Sequence, residues 1–444
     1  MIEDGSIKLI PVEYGFQNSK KLQIGFVPAS GSTAAGAFGS TNTNKYVSAD
    51  CRLEGSIEKQ FVSATVVGVL NTSHTTPFMG REKALDWWSP NALFHYDSML
   101  VSAYYGREIP NYREFYNIPR KGFTLYGDSG GFQNSTMSQG ITNPGTFKPL
   151  NPLNVLRWQE FNCDVGFILD WPVSPNTPDN LIETFKARTI ENAELALTKW
   201  TNKDMKLYSV IHGRNREEIT DMAKRYGDLG RFNGIALGSI VPKKSDYMYI
   251  AEISMLFAEA VQDYKLPVHF FGISGVNSLP IILYVAKKYK LKITFDSAAY
   301  GVGSQHREWW NPFNLSRNSL TYGNNEKTAI VPSSIPCDCP VCNAVGNDLL
   351  QMIKENKNNS VVGSLICLHN LYVFNRYVKM LTAYAERDEL LKSLTKNMCV
   401  ETTSTALEFI DYSLENGIDA GHKKYFEDET PKAVEEPKKS MFDF

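Results

Sequence analysis

A repeated alternation of short apolar runs and helical stretches is the feature that most constrains the fold of this chain. From about residue 61, each apolar run is followed by a polar or glycine-containing turn and then by a helix candidate such as 180–200 or 216–232. In the first candidate, Leu181, Phe185 and Leu197 recur at roughly helical spacing. Strands that alternate with helices form a parallel sheet. The runs are FVSATVVGVL, GFTLYGDSGG, DVGFILDWP, KLYSVIHG, FNGIALGSI, PVHFFGISG and LKITFDSAA.

The number of these units favours a closed sheet over an open one. Six or seven units within about 240 residues match a (β/α)8 TIM barrel. The alternative is an open, doubly wound sheet with helices on both faces. The sequence therefore predicts an α/β protein, with the barrel as the favoured architecture.

Polar residues or glycine stand where most of the apolar runs end. In a parallel barrel these positions converge on one rim, where active sites form. Any one of them is also explained as a strand terminator or a cap of the next helix. Three aspartates on one rim are harder to explain in that way, because unpaired carboxylates repel one another. The positions are Asp128, Asp170, His212, Gly238, Ser274 and Asp296.

Three cysteines cluster at Cys337, Cys339 and Cys342, and His369 follows the last of them by 27 residues. Thiolates at these spacings can occupy three corners of a tetrahedron, which a histidine from a following helix can complete. Four protein ligands leave no open position, so the pattern predicts a structural Zn2+ site. Two alternatives remain on spacing alone: a chance grouping in a loop, or Cys367 as the fourth ligand.

Composition and charge limit the classes of protein. The chain has 444 residues and a net charge of −2, so a polyanion would have to bind at a local basic patch. The first residues do not form a secretory signal, and no apolar run reaches the ~18 residues that span a bilayer. Clustered rather than evenly paired cysteines favour a metal over disulfides. We expect a soluble, cytoplasmic protein.

Changes in composition along the chain predict its domain organisation. Residues 1–60 are rich in Gly, Ser, Thr and Asn and are predicted to form an N-terminal extension of hairpins and loops. Residues 61–330 are predicted to be the catalytic barrel, and residues 331–400 the zinc-binding subdomain with C-terminal helices. Residues 420–444 are charged and contain two prolines, so we expect a disordered tail.

Two of the strand ends carry motifs suited to chemistry on a glycosidic bond. In DSGGFQ, beginning at Asp128, two glycines allow close approach to a planar ligand, and Phe132 offers a stacking face. In FDSAAY, Asp296 could attack a sugar C1′ while a second carboxylate, Asp128, transfers protons. The alternative is an ordinary turn capped by Asp128 or Ser129, and a helix cap at Asp296.

These motifs occur together and in order in one known family. The segments DSGGFQ, LDWPVSPNT, SVIHGRNREE, GIALGSIVP, FFGISG, FDSAAY and CDCPVC followed by LHNLYVFNRY resemble the tRNA-guanine transglycosylase superfamily. The resemblance covers roughly residues 60–385 and is greatest to the archaeal-type branch. Seven ordered motifs make chance similarity an inadequate explanation.

The resemblance implies a fold, a reaction and a set of roles. Members have a (β/α)8 barrel with a zinc subdomain and replace a guanine in nucleic acid with a 7-deazaguanine by double displacement. Asp296 would be the covalent nucleophile and Asp128 the general acid and base, and His369 is preferred over Cys367 as the fourth zinc ligand. Phe132 would stack on the base, Asp170 would bind its amino and ring N–H edge, and the backbone near Gly238 its carbonyl. The implied substrate-binding residues are Ser129, Gly130, Phe132, Gln133, Asp170, His212, Gly238, Phe271 and Gly272.

Two departures from the family pattern concern the base pocket. His212 stands where bacterial members use a glutamine, and Trp171 replaces an acidic neighbour typical of that branch. These changes favour the nitrile preQ0 over a charged aminomethyl base.

The nucleic acid is predicted to be DNA rather than tRNA. The chain shows no room for the RNA-binding domains that archaeal tRNA enzymes carry. In this respect it resembles the DpdA-type enzymes that modify DNA in bacteria and phages. If the protein is encoded by a phage, we expect it in the cytoplasm of the host. The ending KKSMFDF is similar to peptides that contact a sliding clamp, although it is also typical of an ordinary solvated terminus. Family members often form homodimers through the zinc region. Candidate cations for nucleic-acid binding, each also explicable as a surface residue, are Lys243, Lys244, Arg307, Arg214 and Arg216.

Two other functions compete with base exchange. The family includes non-catalytic partner subunits, but Asp128, Asp170 and Asp296 are all present here, which favours an active enzyme. An unrelated zinc-bearing barrel, such as a glycoside hydrolase, would also place two carboxylates beside a sugar. A hydrolase would release guanine without installing another base.

Overall fold

A computed structural model describes most of the chain after residue 94 and a few residues before it. The described residues are 24–30, 87–88, 95–107, 109–138, 150–238, 240, 243–273, 275–305, 307–320, 337–345 and 359–427. The predicted strand FVSATVVGVL, the rim residue Ser274 and the terminal segment KKSMFDF lie outside these residues.

Eight parallel strands form a closed barrel. Each strand pairs in parallel with the next, and β1 pairs with both β2 and β8, which closes the sheet. The predicted (β/α)8 fold is therefore confirmed, and the open sheet is excluded. The strands are β1 (Ile24–Ser30), β2 (Ser98–Ser102), β3 (Thr124–Asp128), β4 (Val165–Phe167), β5 (Lys206–Ile211), β6 (Gly234–Leu237), β7 (Val268–Phe270) and β8 (Ile293–Ser297).

The first two strands were not predicted from the sequence. β1 lies within residues 1–60, so the assignment of that whole segment to an extension outside the barrel is wrong. Its sequence, IGFVPAS, contains a glycine and a proline and is flanked by loop-forming residues, which concealed a strand. β2, with the sequence SMLVS, is short and polar at both ends although all five residues are buried.

Helices surround the barrel and are defined by local signals. The helix Arg216–Leu229 begins at Asn215, whose side chain accepts from the Glu218 amide, and ends at Gly230 with a φ of 60°. It was predicted as a helix, and its buried residues Ile219, Met222 and Tyr226 repeat at helical spacing. In order, the helices are α1 (Ala103–Gly106), α2 (Tyr112–Phe115), α3 (Gly131–Ser138), α4 (Pro152–Asn162), α5 (Asp179–Lys199), α6 (Arg216–Leu229), α7 (Tyr247–Val261), α8 (Ser278–Lys288) and α9 (Ala299–Gln305).

The C-terminal part adds a helical layer and a small hairpin to the barrel. Strands β9 (Glu308–Trp310) and β10 (Arg317–Ser319) pair antiparallel. The long helix α11 packs against α8 and α9, and α13 packs against α7 and α8. The helices are α10 (Pro340–Val345), α11 (Asn359–Ala385), α12 (Asp388–Met398), α13 (Glu401–Asn416) and α14 (Ile418–His422).

The predicted disordered tail begins too early. Residues 418–427 form α14 and one further turn, and the rings of Tyr425 and Phe426 contact Phe409 of α13 at 5.8 and 5.7 Å. This ordered segment was missed by the sequence analysis because it is charged and only a few aromatic residues attach it to the rest of the protein. Among the described residues, no helix combines the length and apolar character needed to cross a lipid bilayer.

Candidate active site and metal centre

The five predicted rim residues that the structure describes lie at the carboxyl ends of five different strands. Asp128 is the last residue of β3, Asp170 follows β4, and Asp296 lies near the end of β8. His212 and Gly238 directly follow β5 and β6. The barrel thus brings together side chains that are up to 168 positions apart in the sequence (128 to 296).

Asp296 is buried and held through one of its two carboxylate oxygens. The backbone amide of Gly272 donates to Oδ1 at 2.9 Å, and Nε2 of His269 lies 3.3 Å from the same oxygen. Both partners come from β7 or the turn after it, where Gly272 has a φ of 71° that favours glycine. These contacts orient the carboxylate and leave Oδ2 without a recorded bond among the described residues.

Asp128 has the most perturbed carboxyl group at the rim. Burial raises its pKa to about 7, and the charges of Asp170 and then Asp296 contribute to the rise. The neighbouring Ser102 hydroxyl and the Gly130 amide oppose it only in part. Asp128 is consequently close to half protonated at neutral pH, as a group that both gives and takes protons must be.

Asp170 is the centre of a buried hydrogen-bond network. The Ser129 hydroxyl donates to Oδ1 at 2.7 Å, and Nε2 of His212 lies 2.7 Å from Oδ2. Because only the protonated nitrogen can donate to a carboxylate, this contact places a hydrogen on Nε2 of His212. His212, which departs from the glutamine of bacterial members, therefore binds Asp170 directly.

Two glycines allow this network to form. A Cβ atom at Gly131 would lie 2.1 Å from Oδ1 of Asp170, and one at Gly238 would lie 2.1 Å from the His212 ring. Gly238 also donates its amide to the Ile211 carbonyl at 2.9 Å. Its amide hydrogen thus has a backbone acceptor already, and its clearest structural role is to admit the imidazole.

The predicted aromatic residues differ in their positions. Phe132, in the first turn of α3, is 57% exposed. Gln133 follows it on the same helix and is partly buried. Phe271 packs edge-on against Phe167 and His269, with ring centroids 4.8 and 4.7 Å apart. Trp171 points into a separate cluster, where it contacts Phe185 and lies under Arg188 at 4.5 Å.

A cavity of about 680 Å³ adjoins Asp296 and extends towards the β9–β10 hairpin. Its wall combines Asp296 and Gly272 with Trp310, Arg317 and the exposed Lys244. The cavity is large enough for a nucleotide-sized ligand.

The predicted cations are not equivalent. Arg214 pairs with Asp179 and Glu218, each at 2.8 Å, and Arg216 pairs with Glu259 and Asp419. Their charges are largely neutralised by these partners, which corrects their inclusion as groove cations. Lys244 lies at the cavity beside Asp296, and Lys243 is 3.9 Å from Asp246.

The predicted metal ligands converge on one point. Nδ1 of His369, in α11, lies 3.7, 3.4 and 3.3 Å from the sulfurs of Cys337, Cys339 and Cys342. All four ligand atoms lie within 4.8 Å of one another, as tetrahedral Zn2+ coordination requires. Cys367 is buried outside this group, beside Ser304, and is not the fourth ligand.

A second contact fixes the state of the histidine. Nε2 of His369 lies 2.8 Å from the Trp310 carbonyl, which can only accept, so the hydrogen is on Nε2 and Nδ1 faces the sulfurs with its lone pair. The Trp309 ring stacks on the imidazole with centroids 4.7 Å apart. The site therefore ties α11 to β9, which also borders the cavity.

We expect the metal to stabilise this subdomain. Cys339→Ala should abolish binding of about one zinc per chain and lower the Tm by about 10 °C, because four protein ligands couple metal binding to folding. Metal content by atomic emission and thermal unfolding are the measurements. Cys367→Ala is the matched control and should retain the zinc; wild-type protein without zinc would contradict the assignment.

Two site residues were missed by the sequence analysis. His269 and Thr294 are cross-strand partners in β7 and β8, and His269 is fully buried beneath Asp296. The available signal was a histidine within the otherwise apolar run VHFF.

Comparison with known proteins agrees with this geometry. A family model described as "Queuine tRNA-ribosyltransferase" matches residues 105–401, about two thirds of the chain. The chain belongs to this family. The predicted superfamily is thereby confirmed, and an unrelated zinc-bearing barrel is excluded.

Proteins similar to this chain include archaeal enzymes. The chain is 26% identical to a tRNA-guanine(15) transglycosylase of Methanococcus vannielii over 60% of its own length and 38% of the relative. It is 25% identical to that of Thermococcus kodakarensis, over 59% and 40%, and 26% identical to that of Methanocaldococcus jannaschii, over 52% and 35%. The match thus covers well under half of each of these relatives.

Proposed function

We propose that this protein exchanges guanine in a nucleic acid for a 7-deazaguanine, through a glycosyl ester on Asp296. The observation that carries the proposal is the convergence of Asp128, Asp170 and Asp296 at one rim of the barrel, where burial and the charges of the other two carboxylates raise the pKa of Asp128 to about 7. A proton-transferring carboxyl group thus shares one barrel mouth with a carboxylate that is oriented by two donors.

In the first half-reaction, Oδ2 of Asp296 attacks C1′ of the target nucleotide. The C1′–N9 bond breaks, its electron pair leaves with guanine, and protonated Asp128 supplies the proton. In the second half-reaction the incoming base gives a proton to Asp128 and attacks C1′, which releases Asp296. The target base must leave its stack to reach the barrel mouth, at a cost of a few kcal/mol.

The buried network at Asp170 supports recognition of a purine edge. Each carboxylate oxygen of Asp170 already accepts one bond, and each has a lone pair for a further N–H of the base. His212 reduces the desolvation cost of this carboxylate, and exposed Phe132 provides a stacking face. Zn2+, held by four protein ligands, stabilises the subdomain.

The reaction has two substrates, the incoming base and the nucleic acid. The proposed incoming base is preQ0, a neutral nitrile. DNA as the polymer stays a prediction, as do a homodimer, a clamp contact and a cytoplasmic location. The archaeal relatives are named tRNA-guanine(15) transglycosylases, which makes tRNA the alternative polymer.

One experiment tests the reaction and the polymer together. The protein is incubated with preQ0 and with guanine-containing duplex DNA or unmodified tRNA, and the polymers are digested to nucleosides and weighed by mass spectrometry. We expect one preQ0 to be incorporated for each guanine released, and no guanine release when preQ0 is omitted. Incorporation into tRNA alone would overturn the DNA prediction. Guanine release without replacement, or no exchange in either polymer, would overturn the proposed function.

A further inference from the structure

We propose that His269 positions the Asp296 nucleophile through a hydrogen bond from Nε2, and that Thr294 holds the His269 ring in place through Nδ1. This role rests on the proposed function, because it concerns how the proposed nucleophile is held. His269 does not touch the substrate and is a positioning residue.

The surroundings of His269 exclude water. The residue is fully buried, and its ring lies 4.9 and 4.7 Å from the rings of Phe167 and Phe271 and is stacked with Tyr126 at 6.2 Å. A polar ring in such surroundings needs hydrogen-bond partners for both nitrogens. The partners are Thr294 and Asp296, on the neighbouring strand β8.

Thr294 holds the second nitrogen of the His269 ring. Nδ1 of His269 lies 2.8 Å from the Thr294 hydroxyl, and that hydroxyl also donates to the Val268 carbonyl at 3.5 Å. A carboxylate can only accept, so Nε2 of His269 carries a hydrogen and donates it to Oδ1 of Asp296 at 3.3 Å. The contact with Thr294 fixes the orientation of the ring that presents this donor.

This arrangement gives the two oxygens of Asp296 different roles. Gly272 and His269 both bind Oδ1, so the carboxylate cannot rotate freely, and Oδ2 is directed to the reacting carbon. When the Oδ2–C1′ bond forms, Oδ1 becomes the carbonyl oxygen of the ester and can keep both bonds. His269 neither gains nor loses a proton, since Asp128 supplies the one that leaves with guanine.

A matched pair of variants tests the donor at Nε2. In His269→Gln the amide nitrogen can occupy the place of Nε2, whereas in His269→Asn it can reach only the place of Nδ1. We expect the asparagine variant to lower kcat by about 100-fold with KM for the nucleic acid changed less than about threefold, and the glutamine variant to recover most of that loss. Formation of the covalent adduct in a single turnover should slow in parallel.

A second pair leaves the histidine in place. Thr294→Val removes the hydroxyl with little change in shape and should lower kcat by about tenfold, while Thr294→Ser should recover it. Equal losses in both members of each pair would show a purely structural role and overturn the proposal. Wild-type kcat in His269→Asn, with Asp296→Asn inactive, would overturn this inference alone. An active Asp296→Asn would overturn the proposed nucleophile and this inference with it.

Discussion

Replacement of Asp296 by asparagine is expected to lower the rate of base exchange by at least about 10⁴-fold. The amide oxygen of asparagine can still accept from Gly272 and His269, which bind Oδ1 at 2.9 and 3.3 Å. The variant therefore keeps the local contacts and loses only the oxygen that attacks C1′. The measurement is incorporation of isotopically labelled guanine into the nucleic acid, with the covalent adduct followed on a denaturing gel.

The chemical change needs a control elsewhere in the molecule. Asp263→Asn makes the same substitution at an exposed residue between α7 and β7, at the opposite end of the barrel, and should leave the rate unchanged. Both variants should unfold within a few degrees of the wild type. Adduct formation and exchange by a folded Asp296→Asn protein would show that another group attacks the sugar.

The strands that the sequence predicted share one property. β4 to β8 are fully or largely buried, and β3 alternates between buried and partly buried residues. Each of these strands ends in a residue or turn that changes polarity abruptly, so its boundary is visible in the sequence. β1 and β2 lack this contrast: β1 contains Pro28, and β2 begins and ends with serine. Their membership in the barrel is set by pairing with distant strands, such as that of Val27 with Asp296, which local patterns do not encode.

The residues of the candidate site could be predicted where they lie at the carboxyl end of a strand. Asp128, Asp170, His212 and Asp296 could be selected because parallel strands bring their carboxyl ends to one rim. The contacts between them could not be selected, because they depend on which side chain points at which neighbour. The pairing of His212 with Asp170 and the support of Asp296 by His269 are of this kind.

The sequence gives the net charge of the protein, but it does not show which arginines are paired with carboxylates. Arg214 and Arg216 were plausible cations for a polyanion, but Glu218 lies one helical turn from Arg214, and Asp419 approaches Arg216 from the C-terminal helices. The second pairing links residues 203 positions apart, which no local pattern reveals. The Cys and His ligands were easier to predict, because metal geometry restricts their spacing.

Three carboxylates in one barrel mouth have a stability cost that falls mainly on Asp128. In the unfolded chain its pKa is near the ordinary 3.8, and in the folded protein it is about 7. Below pH 4 both states bind the proton. Between pH 4 and 7 only the folded state keeps it, so the free energy of unfolding falls as the pH rises. Above pH 7 the destabilisation is complete.

Asp128→Asn is accordingly expected to make the protein more stable and less active. At pH 8 the variant should gain on the order of 2 kcal/mol in the free energy of unfolding, and at pH 4 the gain should be small, because Asp128 is then neutral in the folded state and only about half ionised in the unfolded chain. Exchange should fall by about 10²- to 10⁴-fold, since an amide cannot give a proton to guanine. Denaturant unfolding at both pH values and single-turnover rates are the measurements.

The pH dependence of the wild type provides the complementary evidence. Adduct formation needs protonated Asp128, so its rate should fall about tenfold per pH unit above the pKa of about 7. The second half-reaction needs the deprotonated form, which places the maximum of overall exchange near neutrality. A rate of adduct formation that is flat from pH 6 to 9, or an Asp128→Asn variant whose stability relative to wild type is the same at pH 4 and 8, would remove Asp128 from the acid role. The carboxylate of Asp263 is exposed in the wild type, so the control variant Asp263→Asn should show neither the stability gain nor the rate loss.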